Sequence, residues 1–156
     1  ADFVRSLGFY DTVVTYDQID DPEHGIALLD SVVIDMAGNP NVLAAVHQRL
    51  GDRVKYSMMI GRSHHDSVPT EPAGTLPGAA PQFFFAPTAL DRLVSMWGAG
   101  EYRRRTTEAT HEFIDASRGW MTIDERRGPD GPASAWASVY AGEVDPDVGV
   151  IASFHP

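Results

Sequence analysis

The stretch SVVIDMAGNP at residues 31–40 decides the fold. Its first half is β-branched and apolar through the middle, as the buried strands of parallel sheets are. Asn39 is a good helix N-cap, and Pro40 suits the first position of a helix. The stretch therefore predicts a buried strand that runs through a short loop, residues 35–38, directly into a helix.

The residues on either side extend this pattern. Downstream, we expect a helix with one apolar face that ends at Gly51, then a strand over residues 54–60 that ends at Gly61. That face consists of Val42, Leu43, Val46 and Leu50. Upstream, residues 12–16 (TVVTY) predict another short strand, because β-branched and aromatic residues favour strands. Strands and helices that alternate with short connections predict an α/β protein with a parallel sheet.

The second half of the chain continues the alternation after a long connection. Residues 66–82 are a Pro- and Gly-rich loop, and the triplet Phe83, Phe84 and Phe85 follows, more typical of a core than of a stacking platform. Two helices are then predicted, one capped by Thr88 and one over residues 101–117. Their expected buried side chains are Leu90, Leu93, Val94 and Trp97, and then Tyr102, Ala109, Phe113 and Ile114. A strand over 120–124, a helix over 132–142 and a strand over 148–154 close the chain.

Composition and charge exclude several classes of protein. The 156 residues are 43% hydrophobic, which suits a globular protein with a sizeable core. A formal net charge of −10 opposes binding to nucleic acid or to anionic membranes. The arginines at residues 103–105 lie among glutamates, and ion pairs on a helix surface explain them. The sequence has no cysteine and no apolar run of the ~20 residues that span a bilayer, so we expect a cytoplasmic protein without disulfides or Cys-based zinc sites.

Three blocks of the sequence resemble the C-terminal half of the medium-chain dehydrogenase/reductase superfamily. They are residues 6–16 (SLGFYDTVVTY), residues 32–38 with 56–61 (VVIDMAG and YSMMIG), and residues 121–124, 133–142 and 149–153 (MTID, ASAWASVYAG and GVIAS). More narrowly, residues 35–39 (DMAGN), 61–64 (GRSH) and 83–87 (FFFAP) look like a bacterial and fungal branch of unknown function. The resemblance runs along nearly the whole chain.

The resemblance implies an NAD(P)-binding, zinc-independent oxidoreductase with an unknown substrate. The fold it implies is a partial Rossmann-like sheet with flanking helices and a C-terminal helix-strand tail. Residues 1–65 would be the second half of the cofactor domain, 66–82 the loop, and 83–156 the remaining edge and the tail, in one compact domain. The superfamily's glycine-rich phosphate fingerprint and ribose selector have no match here, so NAD and NADP are not distinguished. The first residues read as the end of a helix with Gly8 as its stop, and we expect an N-terminal half to be missing and this chain alone to be inactive.

The candidate cofactor-binding residues lie where predicted strands end, because ligands of open α/β sheets bind beyond the carboxyl ends of the strands. They are Ala37, Gly38, Gly61, Arg62, Ser63, His64, Phe84 and Phe85. Small residues let a ribose or nicotinamide approach the backbone, and Arg62 suits a phosphate or carboxylate. His64 is the candidate acid or base, although a solvent-facing loop explains it equally. Asp35 is expected to bond the loop amides.

Two other functions stay open at this point. A non-enzymatic Rossmann half would self-associate to cover its unfinished sheet, which makes a homo-oligomer the expected state. A small metal-dependent hydrolase would use His64, His65 and Asp66, but adjacent side chains point in different directions and rarely share a metal, so no metal site is predicted. The expected partners of the leading hypothesis are a nucleotide cofactor and a small-molecule substrate.

Overall fold

The structure is a computed structural model that describes residues 1–61 and 75–155. Two compact units form, one from Ala1 and Thr12–Met96, the other from Asp2–Asp11 and Trp97–Pro156. The helices are α1 (Asp2–Ser6), α2 (Pro40–Leu50), α3 (Ala86–Trp97), α4 (Ala99–Ser117) and α5 (Gly131–Ala141). The strands are β1 (Ser31–Asp35), β2 (Val54–Met59), β3 (Gln82–Phe83), β4 (Thr122–Arg126) and β5 (Val148–Ala152). Two 3-10 turns cover Tyr16–Gln18 and Gly51–Arg53.

The first unit is built on a parallel sheet in the order β1-β2-β3. Between β1 and β2 the chain forms α2, which Asn39 caps by accepting hydrogen bonds from the amides of Asn41 and Val42. Gly51 ends this helix with a positive φ of 57°. The core of the unit lies between α2 and β2, where Leu43, Leu50 and Val54 are buried. β1, α2 and β2 together make the βαβ unit that residues 31–61 predict.

One face of this sheet is uncovered among the described residues. Val32 pairs with Tyr56, and Ile34 pairs with Met58, so these four side chains share a face by the alternation of strands. Val32 is 63% exposed and Ile34 46%, whereas Ser57, on the opposite face, is fully buried under α2. Both faces of a parallel sheet are usually covered. We call this set, the exposed Val32 and Ile34 with the half-buried Tyr56 and Met58, the open face.

The second unit repeats the βαβ arrangement with β4, α5 and β5, whose strands pair in parallel. Arg126 at the end of β4 reaches α5, where it donates hydrogen bonds to the carbonyl of Ser134 and the hydroxyl of Ser138. Gly142 ends α5 in the left-handed conformation. In the same unit, the rings of Phe3 in α1 and Trp120 meet edge to face with centroids 5.9 Å apart. The predicted α/β fold, with short parallel sheets, flanking helices and a C-terminal helix followed by a strand, is confirmed.

The strand predicted over residues 12–16 is wrong. Within the described part of the chain, these residues join no sheet, and Thr15 instead begins the turn Tyr16–Gln18. The hydroxyl of Thr15 donates to the side-chain oxygen of Gln18 at 2.8 Å. β-propensity measures how well a residue fits a pleated surface beside a partner strand, and the described residues provide no partner for 12–16.

Several predicted core positions on the helices are wrong as well. Ala109, Phe113 and Ile114 of α4 are exposed, Phe113 by 60%, and Tyr102 is half-buried. None of the described residues of α3 is buried, and that helix begins at Ala86 rather than at a cap on Thr88. Phe83 and Phe85 are exposed rather than part of a core. An apolar stripe predicts which side would face a core, but the covering surface has to come from elsewhere in the fold.

The segments at the edges of the second unit are shifted rather than missing. β4 begins at Thr122 instead of residue 120, and β5 ends at Ala152 instead of 154.

The glutamates around the arginines at 103–105 do form ion pairs: Glu101 pairs with Arg104 and Arg105, and Glu108 with Arg104. Among the described residues, no helix combines the length and the apolar character that crossing a bilayer requires.

Candidate functional site

Three loops meet at one edge of the β1-β2-β3 sheet. Asp35, the last residue of β1, is paired with Met59, the last residue of β2, and Met59 is paired with Phe83, the last residue of β3. All three strands run in the same direction, so their carboxyl ends lie side by side. The loops that carry Ala37 and Gly38, Gly61, and Phe84 and Phe85 therefore begin at neighbouring points. We call this the carboxyl edge.

The loop after β1 is held by the carboxylate of Asp35. Its Oδ1 accepts hydrogen bonds from the amides of Ala37 at 3.0 Å and of Gly38 at 2.8 Å. Gly38 has a positive φ of 68°, which L side chains rarely adopt. The predicted role of Asp35 as a partner of the loop amides is confirmed. The same bonds direct the amides of Ala37 and Gly38 towards Asp35, so a ligand would meet the small side-chain surface of the loop.

Gly61 serves a contact inside the chain. Its amide and that of Ile60 both donate to the carbonyl of Asp35, at 3.3 and 2.8 Å. A β-carbon on Gly61 would overlap the carbonyl oxygen of Met36. The absence of a side chain at Gly61 therefore allows the loops after β1 and β2 to touch, which is a structural reason for glycine at this position.

The phenylalanine triplet continues from β3 along the same edge. The amide of Phe84 donates to the carbonyl of Met59 at 2.9 Å, which extends the pairing with β2 by one residue. Phe84 is half-buried, and Phe85 is exposed while its carbonyl accepts from Ala89 in the first turn of α3. Backbone pairing thus fixes Phe84, and the ring of Phe85 is free to line a site at the carboxyl edge.

Arg62, Ser63 and His64 lie outside the described residues, as do His65 and Asp66. Their predicted roles stay predictions, both as cofactor contacts and as members of a hydrolase site. Among the described residues, no group of three histidine, aspartate or glutamate side chains is arranged to hold a metal ion.

Sequence reasoning assigned nothing specific to His47, which is fully buried on α2. Its Nε2 lies 2.9 Å from the hydroxyl of Ser57 on β2, and its Nδ1 lies 2.8 Å from the carbonyl of Pro77. The sequence spacing did indicate this burial, because His47 lies four residues after Leu43 and three before Leu50, on the same face of the helix. A polar residue inside an apolar stripe needs hydrogen-bond partners, and here it has two.

In the comparison with known proteins, a family model matches a stretch of the chain that includes all of the site residues named above. A family model described as "Protein of unknown function (DUF2855)" matches residues 1–145. Neither the curated proteins nor the solved structures gave a match.

Proposed function

The chain belongs to the DUF2855 family, and from its carboxyl edge we propose that it binds the nicotinamide end of NAD or NADP, as part of a zinc-independent oxidoreductase of the medium-chain dehydrogenase/reductase type. The observation that carries the proposal is the alignment of Asp35, Met59 and Phe83 at the ends of three parallel strands. Ligands of open α/β sheets bind at this edge. The resemblance in residues 32–38 and 56–61 supports the same position.

The donor set at the carboxyl edge fits the nicotinamide end of the cofactor better than its pyrophosphate. The amides of Ala37 and Gly38 donate to the side-chain carboxylate of Asp35. The amides of Ile60 and Gly61 donate to the backbone carbonyl of the same residue. A pyrophosphate needs backbone amides that point at the ligand. A neutral ribose or an aromatic ring can instead rest against small residues and phenylalanines.

In the proposed complex, the residues of this chain orient the ring and the cofactor supplies hydride chemistry. Ala37 and Gly38 would form the floor beneath the nicotinamide ribose, and Phe84 and Phe85 would wall the ring. The Asp35 carboxylate holds that floor in one conformation before any ligand arrives, which lowers the entropic cost of binding.

The test uses the chain with half of the cofactor as a probe. Reduced nicotinamide mononucleotide at millimolar concentration is titrated into the labelled protein, and amide shifts are followed by NMR. We expect shifts at Ala37, Gly38, Gly61 and Phe84, and much smaller shifts there with adenosine monophosphate. The proposal is overturned if these amides do not respond, or if both nucleotides move them equally.

A matched pair of glycine variants provides the control. Gly38 and Gly8 have the same positive φ of 68°, but Gly8 lies in the other unit. Gly38→Ala and Gly8→Ala therefore introduce similar backbone strain. Only Gly38→Ala should weaken the response to reduced nicotinamide mononucleotide; equal weakening by both would count against binding at the carboxyl edge.

A second candidate function, a self-associating non-enzymatic module, is supported by the open face. Val32 and Ile34 expose apolar surface on a parallel sheet, and a second copy would remove it from water. Sedimentation of the wild type should then show a dimer that Val32→Lys disrupts. Leu29→Lys, at an exposed residue outside the open face, is the control. A wild-type monomer at all concentrations would exclude this candidate.

A further inference from the structure

A buried imidazole joins three parts of the first unit. His47 on α2 is fully buried, with Ser57 of β2 on one side and Pro77 on the other. A backbone carbonyl can only accept, so Nδ1 carries a proton and donates to Pro77. In the neutral ring, Nε2 then accepts from the hydroxyl of Ser57. Ser57 is also fully buried, so this serine-histidine pair cannot reach a substrate.

The segment at residues 77–79 is attached to the βαβ unit at three successive residues. The carbonyl of Pro77 accepts from His47, and the amide of Ala79 donates to the carbonyl of Val54 at 2.9 Å. Between them, Gly78 lies so close that a β-carbon would come within 2.5 Å of the carbonyl oxygen of Gly51. The bond to Pro77 comes from a side chain, whereas the bond between Ala79 and Val54 joins two backbone groups.

The strand that follows this segment has little to hold it by itself. β3 has two residues, Gln82 and Phe83, and both are exposed. A strand this short forms few ladder bonds and buries little surface, so its place depends on what precedes it. Only four residues separate Ala79 from Phe84, whose amide makes the next bond to β2.

We propose that His47 is a positioning residue: its hydrogen bond to Pro77 anchors the segment that places β3, Phe84 and Phe85 at the carboxyl edge. The consequence for nicotinamide binding rests on the proposed function. The anchor itself rests on the contacts of His47 and Ala79 and on the shortness of β3.

Two substitutions of His47 distinguish the hydrogen bond made by Nδ1 from the one made by Nε2. Asparagine places its amide near the position of Nδ1, and glutamine places its amide near Nε2. His47→Asn therefore keeps a donor for Pro77, whereas His47→Gln keeps a partner for Ser57. Hydrogen exchange of the Phe84 amide, which bonds to Met59, reports the attachment of β3. The amide of Ile60, which bonds to Asp35, reports the β1-β2 pairing.

We expect His47→Gln to speed exchange at Phe84 by about tenfold relative to Ile60, the effect of losing one hydrogen bond. His47→Asn should stay close to the wild type. Equal effects of the two variants on Phe84 would overturn the anchor. If neither variant folds, Ser57→Ala decides: it leaves the bond to Pro77 intact, so Phe84 should stay protected, and rapid exchange there would also overturn the anchor.

The failure of the anchor and that of the proposed function are distinguishable. If His47→Gln loosens Phe84 while the wild type shows no shifts at Ala37 and Gly38 with reduced nicotinamide mononucleotide, the anchor stands and the proposed function fails. If those shifts occur and Phe84 exchange in His47→Gln is unchanged, the proposed function stands and the anchor fails. When both hold, His47→Gln should reduce the shift of Phe84 more than that of Ala37.

Discussion

The α-carbon of Gly61 approaches the carbonyl of Met36 so closely that no side chain fits between the loops that follow β1 and β2. The amide of Gly61 also bonds to Asp35, the residue before Met36. Residues 60–61 therefore pack directly against residues 35–36 at the carboxyl edge. A change in either loop should be felt by the other.

Gly61→Ala is expected to lower the free energy of unfolding by about 1–3 kcal/mol, because the added methyl forces the two loops apart. Urea unfolding measures the loss. Gly100→Ala on α4 is the control, since a β-carbon there meets no described atom within 4 Å. A Gly61 variant as stable as the Gly100 variant would show that the loops separate without cost.

Removing the Asp35 carboxylate should loosen the loop before α2. Asp35→Ala deletes the acceptor for the amides of Ala37 and Gly38, and we expect a loss of about 1–3 kcal/mol in unfolding free energy. Asp35→Asn keeps an acceptor oxygen and should lose less. Amide exchange at Gly38 should follow the same order, and equal losses in the two variants would show that the charge rather than the hydrogen bonds holds the loop.

Arg126 should matter more to the second unit than its neighbour Arg127. Its side chain, 24% exposed, bonds to Asp124, Ser134 and Ser138, and so joins β4 to α5. Arg126→Met should lower the unfolding free energy by about 1.5–3 kcal/mol. Arg127 makes an exposed ion pair with Glu125, and Arg127→Met should cost about 0–1 kcal/mol. Similar losses in thermal or urea unfolding would contradict the structural role of Arg126.

Glu101 should make the stability of the protein depend on pH in the acidic range. Hydrogen bonds from Arg104 and then Arg105 lower the pKa of its carboxyl from 4.5 to about 2. A carboxyl with a lowered pKa in the folded state stabilises above its unfolded pKa, and that stabilisation is lost as the pH falls from about 4.5 through about 2. The stability difference between the wild type and Glu101→Gln should therefore shrink over this interval.

The same titration on Glu112→Gln, at another exposed position of α4, serves as the comparison. Unfolding is measured at several pH values under constant salt, because screening weakens exposed pairs. A difference between wild type and Glu101→Gln that is constant from about pH 5 to about pH 2 would show that the arginines do not hold this carboxylate in solution.

Local signals were predicted well because they depend on neighbouring residues. The bounds of β1, the cap at Asn39, the end of α2 at Gly51 and the left-handed stop at Gly8 all agree with the structure. The hydrogen bonds from the Ala37 and Gly38 amides to Asp35 were also expected, since they span only three residues. The meeting of three loops at one edge followed from predicting a parallel sheet.

By itself, the sequence determined the βαβ unit of residues 31–61 and the order of helices and strands around it. The tertiary structure alone decided that residues 12–16 join no described strand, that His47 is buried between Ser57 and Pro77, and that Gly61 is required by Met36. It also left Val32 and Phe113 exposed where their patterns predicted burial. The physical reason is the same throughout: caps, turns and periodicity are encoded within a few residues, whereas pairing and burial require a second surface that is distant in the sequence.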